Sequence, residues 1–291
     1  MTPSVTVLET GLLTTVQDSG RPGRAALGVG RSGACDLTSY RLANRLVGNA
    51  GNAAALEVTY GGLRLRADGD VVVVTTGARC AGTTPHNAPL RLRSGEVLEL
   101  GPPASGLRTY LAVRGGFAVD EVLGSCATDV LSGLGPPVVT TGTVLTVGPS
   151  EHPHPGVDVA PVADPAAGDV TVRVTPGPRR DWFSDEAWAS MVEQPWTVTS
   201  ESNRVGLRLE GEALARERTG ELPSEGLVRG ALQVPASGQP VLFLADHPVT
   251  GGYPVIGYVD DVDVDRCGQL RPGQRLLLRD AQVRGGPPRG R

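Results

Sequence analysis

Lysine is absent from this sequence: all 27 of its basic residues are arginine. No Schiff-base lysine, Walker-type phosphate lysine or Ser-Lys nucleophile pair can therefore operate. Any phosphate or carboxylate must be held by arginine forks, backbone N–H groups or a metal. Aromatic residues make up only 4% of the chain, and cysteine occurs four times, at Cys35, Cys80, Cys126 and Cys267, with no Cys-x-x-Cys pair. That spacing argues against a zinc site or a disulfide framework and fits reduced, mostly buried thiols. The formal charge of −4 provides no basic field for nucleic acid or a membrane surface. No apolar run reaches the ~18 residues of a membrane span, and the amino terminus lacks the charged and apolar regions of a secretion signal. A cytoplasmic location is expected.

Glycine and proline are plentiful instead, at 40 and 24 of 291 residues, and 40% of the chain is hydrophobic. This composition favours many short strands and turns over long helices, and the length favours two lobes. Strand-like segments separated by Gly, Asp-Gly or Pro-Pro signals fall at Val5 to Leu8, Leu12 to Val16, Ala55 to Tyr60, Leu63 to Arg66, Val71 to Thr75, Leu90 to Leu92, Val97 to Leu100 and Thr109 to Val113. Val138 to Val147 reads as a closing hairpin about Thr140 to Gly142. The first lobe is predicted to span 1–150, a proline-rich linker 151–168, and a second lobe 169–291. Strands are predicted there at Val170 to Thr175, Thr197 to Ser200, Gly206 to Leu209, Gly230 to Val234, Val241 to Leu244, Val255 to Val259 and Gln274 to Leu278. Two helices stand out. One is capped by Asp36 and ends at Gly48; the other is capped by Ser184 and carries Trp188 and Met191.

The lobes echo each other. Val97 to Phe117 and Ala231 to Tyr253 both read strand, Pro-Ala-Ser-Gly turn, strand, then Gly-Gly-aromatic, as two copies of one β unit would.

Chemistry-bearing residues concentrate in Gln17 to Asp36, where two carboxylates, several arginines and Ser32 sit among glycines. Such a loop can cradle a ligand with its N–H groups, or it can be a long surface turn. Its Gly28-Val-Gly30-Arg-Ser-Gly33 spells G-x-G-x-x-G, but no buried strand leads into it, so the context argues against a dinucleotide site. His86 reads as an exposed turn residue, and His152 and His154 as part of a solvated connector. Asp246 to Tyr253, directly after an apolar strand, reads as a site wall or as an ordinary loop. Arg204 offers a clamp for a carboxylate or phosphate, or a partner for an acid. The acidic run Asp260 to Asp265 lacks the EF-hand pattern and reads as a solvated helix start or loop.

Several stretches together resemble one family: Gly11-Leu-Leu-Thr-Thr-Val-Gln-Asp-Ser-Gly-Arg-Pro-Gly, Arg41-Leu-Ala-Asn-Arg-Leu-Val-Gly-Asn, Ala54-Ala-Leu-Glu-Val-Thr-Tyr-Gly-Gly, Ser202-Asn-Arg-Val-Gly-Leu-Arg-Leu-Glu-Gly, Ser224-Glu-Gly-Leu-Val-Arg-Gly and Ala245-Asp-His-Pro-Val-Thr-Gly-Gly-Tyr-Pro. The chain resembles the family of the 5-oxoprolinase C subunit, also labelled allophanate hydrolase subunit 2, Kip-type antagonist or biotin-dependent carboxyltransferase domain, from about Val5 to Leu278. It departs from the pattern at Cys35, where Met is expected, and at Cys126, where the lost arginine puts anion binding by that loop in question.

The resemblance implies a mainly β fold of two related cyclophilin-like β-barrel lobes with few short helices. It also implies work with B and A subunits, the B subunit being Kip-inhibitor-like and of related fold, in an ATP-dependent conversion of 5-oxoproline to glutamate. The alternatives it carries are half of a carboxyltransferase for a urea-like substrate, with biotin, and a non-enzymatic Kip-type binding module. Under the leading reading ATP and Mg serve the assembled complex, and the isolated chain is inactive. Lactam opening needs stabilisation of negative charge in a dry cleft. On that physical ground Asp18, Arg21, Asp36 and Asp246 are candidate catalytic groups, and Gln17, Arg31, Ser32, Gly33, Arg204, Thr250, Gly251 and Tyr253 candidate substrate or phosphate contacts.

Overall fold

A computed structural model describes residues 2–82, 85–150, 152–218, 220 and 222–282. They form two units, one of 1–167 with 268–270, the other of 168–267 with the remaining C-terminal residues.

In the first unit the alternating segments become β1 (Ser4–Thr10), β2 (Leu13–Gln17), β3 (Ala55–Thr59), β4 (Leu63–Asp68), β5 (Val71–Gly77), β6 (Leu90–Leu92), β7 (Val97–Glu99), β8 (Arg108–Val113) and β9 (Val144–Thr146). They build two sheets, ordered β7-β4-β1-β9 and β2-β3-β8-β5-β6, with every pairing antiparallel. In β4 the pattern Leu63, Leu65, Ala67 in and Arg66 out places apolar residues on one face, as the period of two requires. All six residues of β8 are buried, since this strand is central in its sheet. Leu56, Leu63, Leu65, Leu98 and Leu111 lie in one apolar core; burial of each such side chain contributes roughly 1.5–3 kcal/mol.

The predicted hairpin over Val138 to Val147 is not formed. Only its second arm is a strand, β9, which pairs with β1, while Val139 makes a single backbone bond to Thr14 O. Pro136 and Pro137, which have no N–H to donate, precede the missing arm. The stretch read as a linker packs on the first unit: Ala160 N donates to Asn87 O at 2.8 Å and Arg79 pairs with Asp164 at 2.9 Å.

Helix α1 (Leu37–Leu46) forms where predicted. Asp36 accepts from Ser39 N at 2.9 Å, and Leu37, Tyr40, Ala43 and Leu46 turn inward against β5 and β8. Gly48, at φ +70°, follows its end.

The second unit contains β10 (Val170–Pro176), β11 (Pro195–Val198), β12 (Gly206–Glu210), β13 (Glu225–Gly226), β14 (Ala231–Gln233), β15 (Val241–Phe243), β16 (Thr250–Gly251), β17 (Val255–Val259) and β18 (Arg275–Asp280). Seven of them close into a barrel in the order β10-β17-β14-β15-β12-β11-β18. The closing pair, β10 with β18, is parallel, from Val170↔Leu276 to Val174↔Asp280. Val170, Val172 and Val174 point inward while Thr171 and Arg173 face out. Helix α2 (Asp185–Glu193) is capped by Ser184, which accepts from Ala187 N at 3.2 Å.

The acidic run starts helix α3 (Asp261–Cys267), as one of its two readings had it: Asp261 stays largely exposed, whereas Asp263 and Asp265 are buried and pair with Arg266 and Arg229. The two stretches read as copies differ in pairing. β14 and β15 bond to each other, whereas β7 and β8 lie in different sheets. No helix among the described residues is long and apolar enough to cross a membrane.

Candidate functional site

In the first unit, β2 delivers Gln17 and Asp18 into the loop that leads to α1. Asp18 is 5% exposed. Its Oδ1 accepts from Gly20 N and Ser125 Oγ, both at 2.7 Å, and its Oδ2 from Cys126 N at 2.6 Å. Arg21, three residues on and also buried, donates from Nε to Val122 O at 3.3 Å and from Nη2 to Ala127 O. One carboxylate and one guanidinium thus grip the same crossing segment, Val122 to Ala127, the first through its donors and the second through its carbonyls. Gln17 Nε2 extends the grip to Thr128 O at 2.9 Å, and Ser32 Oγ reaches the same oxygen at 3.3 Å.

The loop closes on itself through Arg21 N to Arg31 O at 2.8 Å and Ala34 N to Asp18 O at 3.0 Å. The approach is so close that a Cβ on Gly20 would stand 2.6 Å from the carbonyl oxygens of Arg31 and Ser32, and one on Gly33 would meet Gly20 N at 2.7 Å. Ser32 itself sits in the left-handed region at φ +53°. Gln17 Oε1, Arg21 Nη1 and Thr128 Oγ1 are enclosed with no partner among the described residues. Arg31 faces solvent.

The exit of the loop is fixed by a second buried network that sequence reasoning missed. Glu57 Oε2 accepts from Cys35 N at 2.9 Å and from Tyr110 Oη at 2.7 Å, while Tyr110 Oη accepts from Asp36 N at 2.8 Å. Arg108 Nε lies 3.3 Å from Glu57 Oε1, with both side chains at most 2% exposed. Gln269 donates to Asp36 Oδ2 at 2.8 Å and accepts from Leu107 N and Arg108 N. Burial, reinforced by Glu57 and Asp36, pushes the Tyr110 phenol well above its ordinary pKa. It stays a neutral donor. A glutamate inside the apolar run Ala54-Ala-Leu-Glu-Val is the one sequence signal for this network, because a buried charge needs partners.

In the second unit, Arg204 and Asp246 form a bidentate fork, Nε to Oδ2 at 2.9 Å and Nη2 to Oδ1 at 3.0 Å. Both are at most 1% exposed. The backbone repeats the link, with Asp246 N donating to Arg204 O. Thr250 and Gly251 form β16 against β13, and Tyr253 is 49% exposed with Arg216 stacked on its ring. The structure therefore gathers Gln17, Asp18, Arg21, Ser32, Gly33 and Asp36 in one framework and joins Arg204 to Asp246 in another. His86 is not the exposed residue expected: it is 7% exposed, with Nε2 donating to Gly77 O at 3.1 Å and Nδ1 facing Thr75 Oγ1 at 3.3 Å. Burial and then Asp18 push the Cys126 thiol up to about 11, which keeps it protonated at neutral pH.

The candidate carboxylates do not fit as ligands for Mg²⁺. Asp18 and Asp246 commit both carboxylate oxygens to internal partners, as does Asp36, whose oxygens take Ser39 N, Ser39 Oγ and Gln269. Among the described residues no three His, Cys, Asp or Glu side chains converge as a metal cage.

The family model for the carboxyltransferase domain, subdomain A and B, matches residues 27–280. The chain is 37% identical over 278 residues to the 5-oxoprolinase C subunit of Escherichia coli (strain K12), a match spanning 93% of this chain and 89% of that protein. Among solved structures, TTHA0988 superposes with a TM-score of 0.84 at 36% identity, over 95% of this chain and 55% of that one. The K. lactis urea amidolyase superposes with a TM-score of 0.87 at 30% identity, over 96% of this chain and 19% of that one. The chain thus spans about half the length of the first of these solved chains and a fifth of the second.

Proposed function

Because the chain belongs to the carboxyltransferase family of subdomains A and B, we propose that it serves as the C subunit of a 5-oxoprolinase, converting 5-oxoproline to glutamate together with the B and A subunits. The observation that carries this reading is the 37% identity over 278 residues to the Escherichia coli C subunit. The identity to the K. lactis urea amidolyase is lower, at 30%.

A lactam resists hydrolysis because its amide is resonance-stabilised, so opening it needs activation of the ring carbonyl in a site closed to water. In this proposal ATP and Mg²⁺ supply that activation in the assembled complex, and the isolated chain does not turn over. The contribution of this chain is a pair of pre-organised frameworks. The Asp18–Arg21 clamp fixes the loop that presents Arg31 and its neighbouring N–H groups, and the Arg204–Asp246 fork fixes the start of the loop that presents Thr250 and Tyr253. Rigid support of this kind keeps recognition groups in place without reorganisation.

A second reading, half of a carboxyltransferase acting with biotin on a urea-like substrate, is favoured by the superposition on the K. lactis enzyme. Purified chain mixed with its B and A partners, ATP, Mg²⁺ and 5-oxoproline is expected to release glutamate and ADP, and each component omitted should stop it. Absence of glutamate with verified partners would reject the proposal; carboxylation of urea by an assembly with a biotin carboxylase would establish the second reading.

A further inference from the structure

Most buried or half-buried arginines of this chain meet an acid. Arg108 faces Glu57, Arg179 Glu225, Arg204 Asp246, and Arg229 Asp261 and Asp265. Arg216, half-buried in the second unit, has no acid within 4.0 Å among the described residues. Its Nη2 donates to Val234 O, its Nε is enclosed without a partner, and its Nη1 has no partner among the described residues. Burial draws the guanidinium pKa below the usual arginine value, and Tyr253 works against that shift. A partly desolvated cation without a counter-charge attracts an anion more strongly than a fully solvated one.

The guanidinium carbon stands 5.7 Å from the centroid of the Tyr253 ring. The backbone that carries that ring is held from the same strand end that binds Arg216. Gln233 Nε2 donates to Tyr253 O at 2.9 Å, and Val234 N donates to Pro254 O at 3.0 Å. Gln233 and Val234, at the exit of β14, therefore hold both the cation and the backbone from which the ring projects. Tyr253 is nonetheless 49% exposed. A half-exposed ring beside a guanidinium with no acid partner among the described residues offers apolar contact and a charge-assisted hydrogen bond at once.

We propose that Arg216 and Tyr253 form a recognition site for a small carboxylate carried on a compact ring; resting on the lactam reading above, that ligand is 5-oxoproline, with its carboxylate on Arg216 and its ring methylenes against Tyr253. Phosphate shares the charge and lacks the ring. Arg216 is a binding group in this arrangement and takes no part in bond making.

The test is calorimetric titration of the full chain with 5-oxoproline, its carboxamide and inorganic phosphate, paired with KM measurements on the assembled enzyme. The wild-type chain should bind the acid roughly 10-fold more tightly than the amide, the worth of one charged hydrogen bond. Arg216→Gln, which keeps a donor for Val234 O, should abolish that preference, and Tyr253→Ala should weaken acid and amide alike while the circular dichroism stays native. In the complex Arg216→Gln should raise KM for 5-oxoproline and leave kcat within about twofold. Equal binding of acid and amide, no binding at millimolar acid, or phosphate binding as tightly as the acid would overturn the site. Turnover of 5-oxoproline with a KM indifferent to Arg216 would reject the site and keep the function. Arg216-dependent preference for the acid in a complex that yields no glutamate would reject the function and keep the site.

Discussion

Asp18 accepts three hydrogen bonds from two segments that are more than a hundred residues apart in sequence. Replacing it by Ala strands the Gly20 and Cys126 N–H groups, and Asp18→Ala is expected to destabilise the chain by about 3 kcal/mol in urea unfolding. Ser125→Ala removes one of the same bonds and should cost about 1 kcal/mol. The Arg204–Asp246 fork obeys the same logic in the second unit. Asp246→Asn should cost about 3–5 kcal/mol by leaving a buried guanidinium uncompensated, while the double replacement of both partners by apolar residues of similar size should recover most of the loss.

His86 supplies a pH test. Burial lowers its pKa below the ordinary 6.5, so the unfolded chain takes up a proton at a higher pH than the folded chain does. Stability from this residue is complete above about pH 6.5 and falls as the pH drops through that value toward the lowered one. The urea midpoint of the wild type should decline from pH 7.5 to 5, and His86→Gln should flatten that part of the decline.

At the level of elements, helix α1 and the loop before it form one device. Asp36 caps the helix through Ser39 N and simultaneously holds Gln269, which bridges Leu107 and Arg108. Asp36→Ser keeps a cap and loses the Gln269 bond; Asp36→Ala loses both. Thermal unfolding should rank wild type, Ser and Ala in that order, with the cap alone worth about 1 kcal/mol. The helix, its cap and most strand cores were legible in the sequence, because a 3.6-residue apolar period with an Asp at its head and a two-residue alternation are local signals. The shortest strands were not legible, because their existence rests on a distant neighbour. β13 and β16, two residues each, exist because Glu225 and Gly226 lie beside Gly251 and Thr250, and no two-residue pattern announces that. The arm expected at Val138 failed for the converse reason: a strand-like pattern found no neighbour to bond along its length.

Across the whole molecule, the four cysteines report on folding. Cys35 and Cys267 are fully buried, Cys126 is 8% exposed, and Cys80 is partly exposed. Burial raises Cys126 to about 11 and Cys267 to about 12. A thiol-reactive disulfide reagent at pH 8 should therefore label Cys80 first and the other three only as the chain opens, the full count of four appearing in denaturant. Prompt labelling of Cys126 in the native chain would contradict the clamped loop around Asp18.

What the amino-acid order determined by itself is everything set by local chemistry or by composition. Without lysine, charge recognition falls to arginine and backbone N–H groups; glycine, proline and alternation made the chain mainly β; and the motif combination pointed to its family. It also marked Gln17 to Asp36 and Asp246 to Tyr253 as unusual. Only the tertiary structure decided what the marked residues do. Asp18, Arg21, Arg204 and Asp246 are buried and committed to other parts of their own unit, and Glu57, Arg108, Tyr110 and Gln269 join the framework from distant positions. The physical reason is that a charge declares itself in a sequence, whereas its partner does not: burial and pairing depend on which segments fold against each other, and the difference between a solvated arginine and a committed one is a matter of a few ångströms.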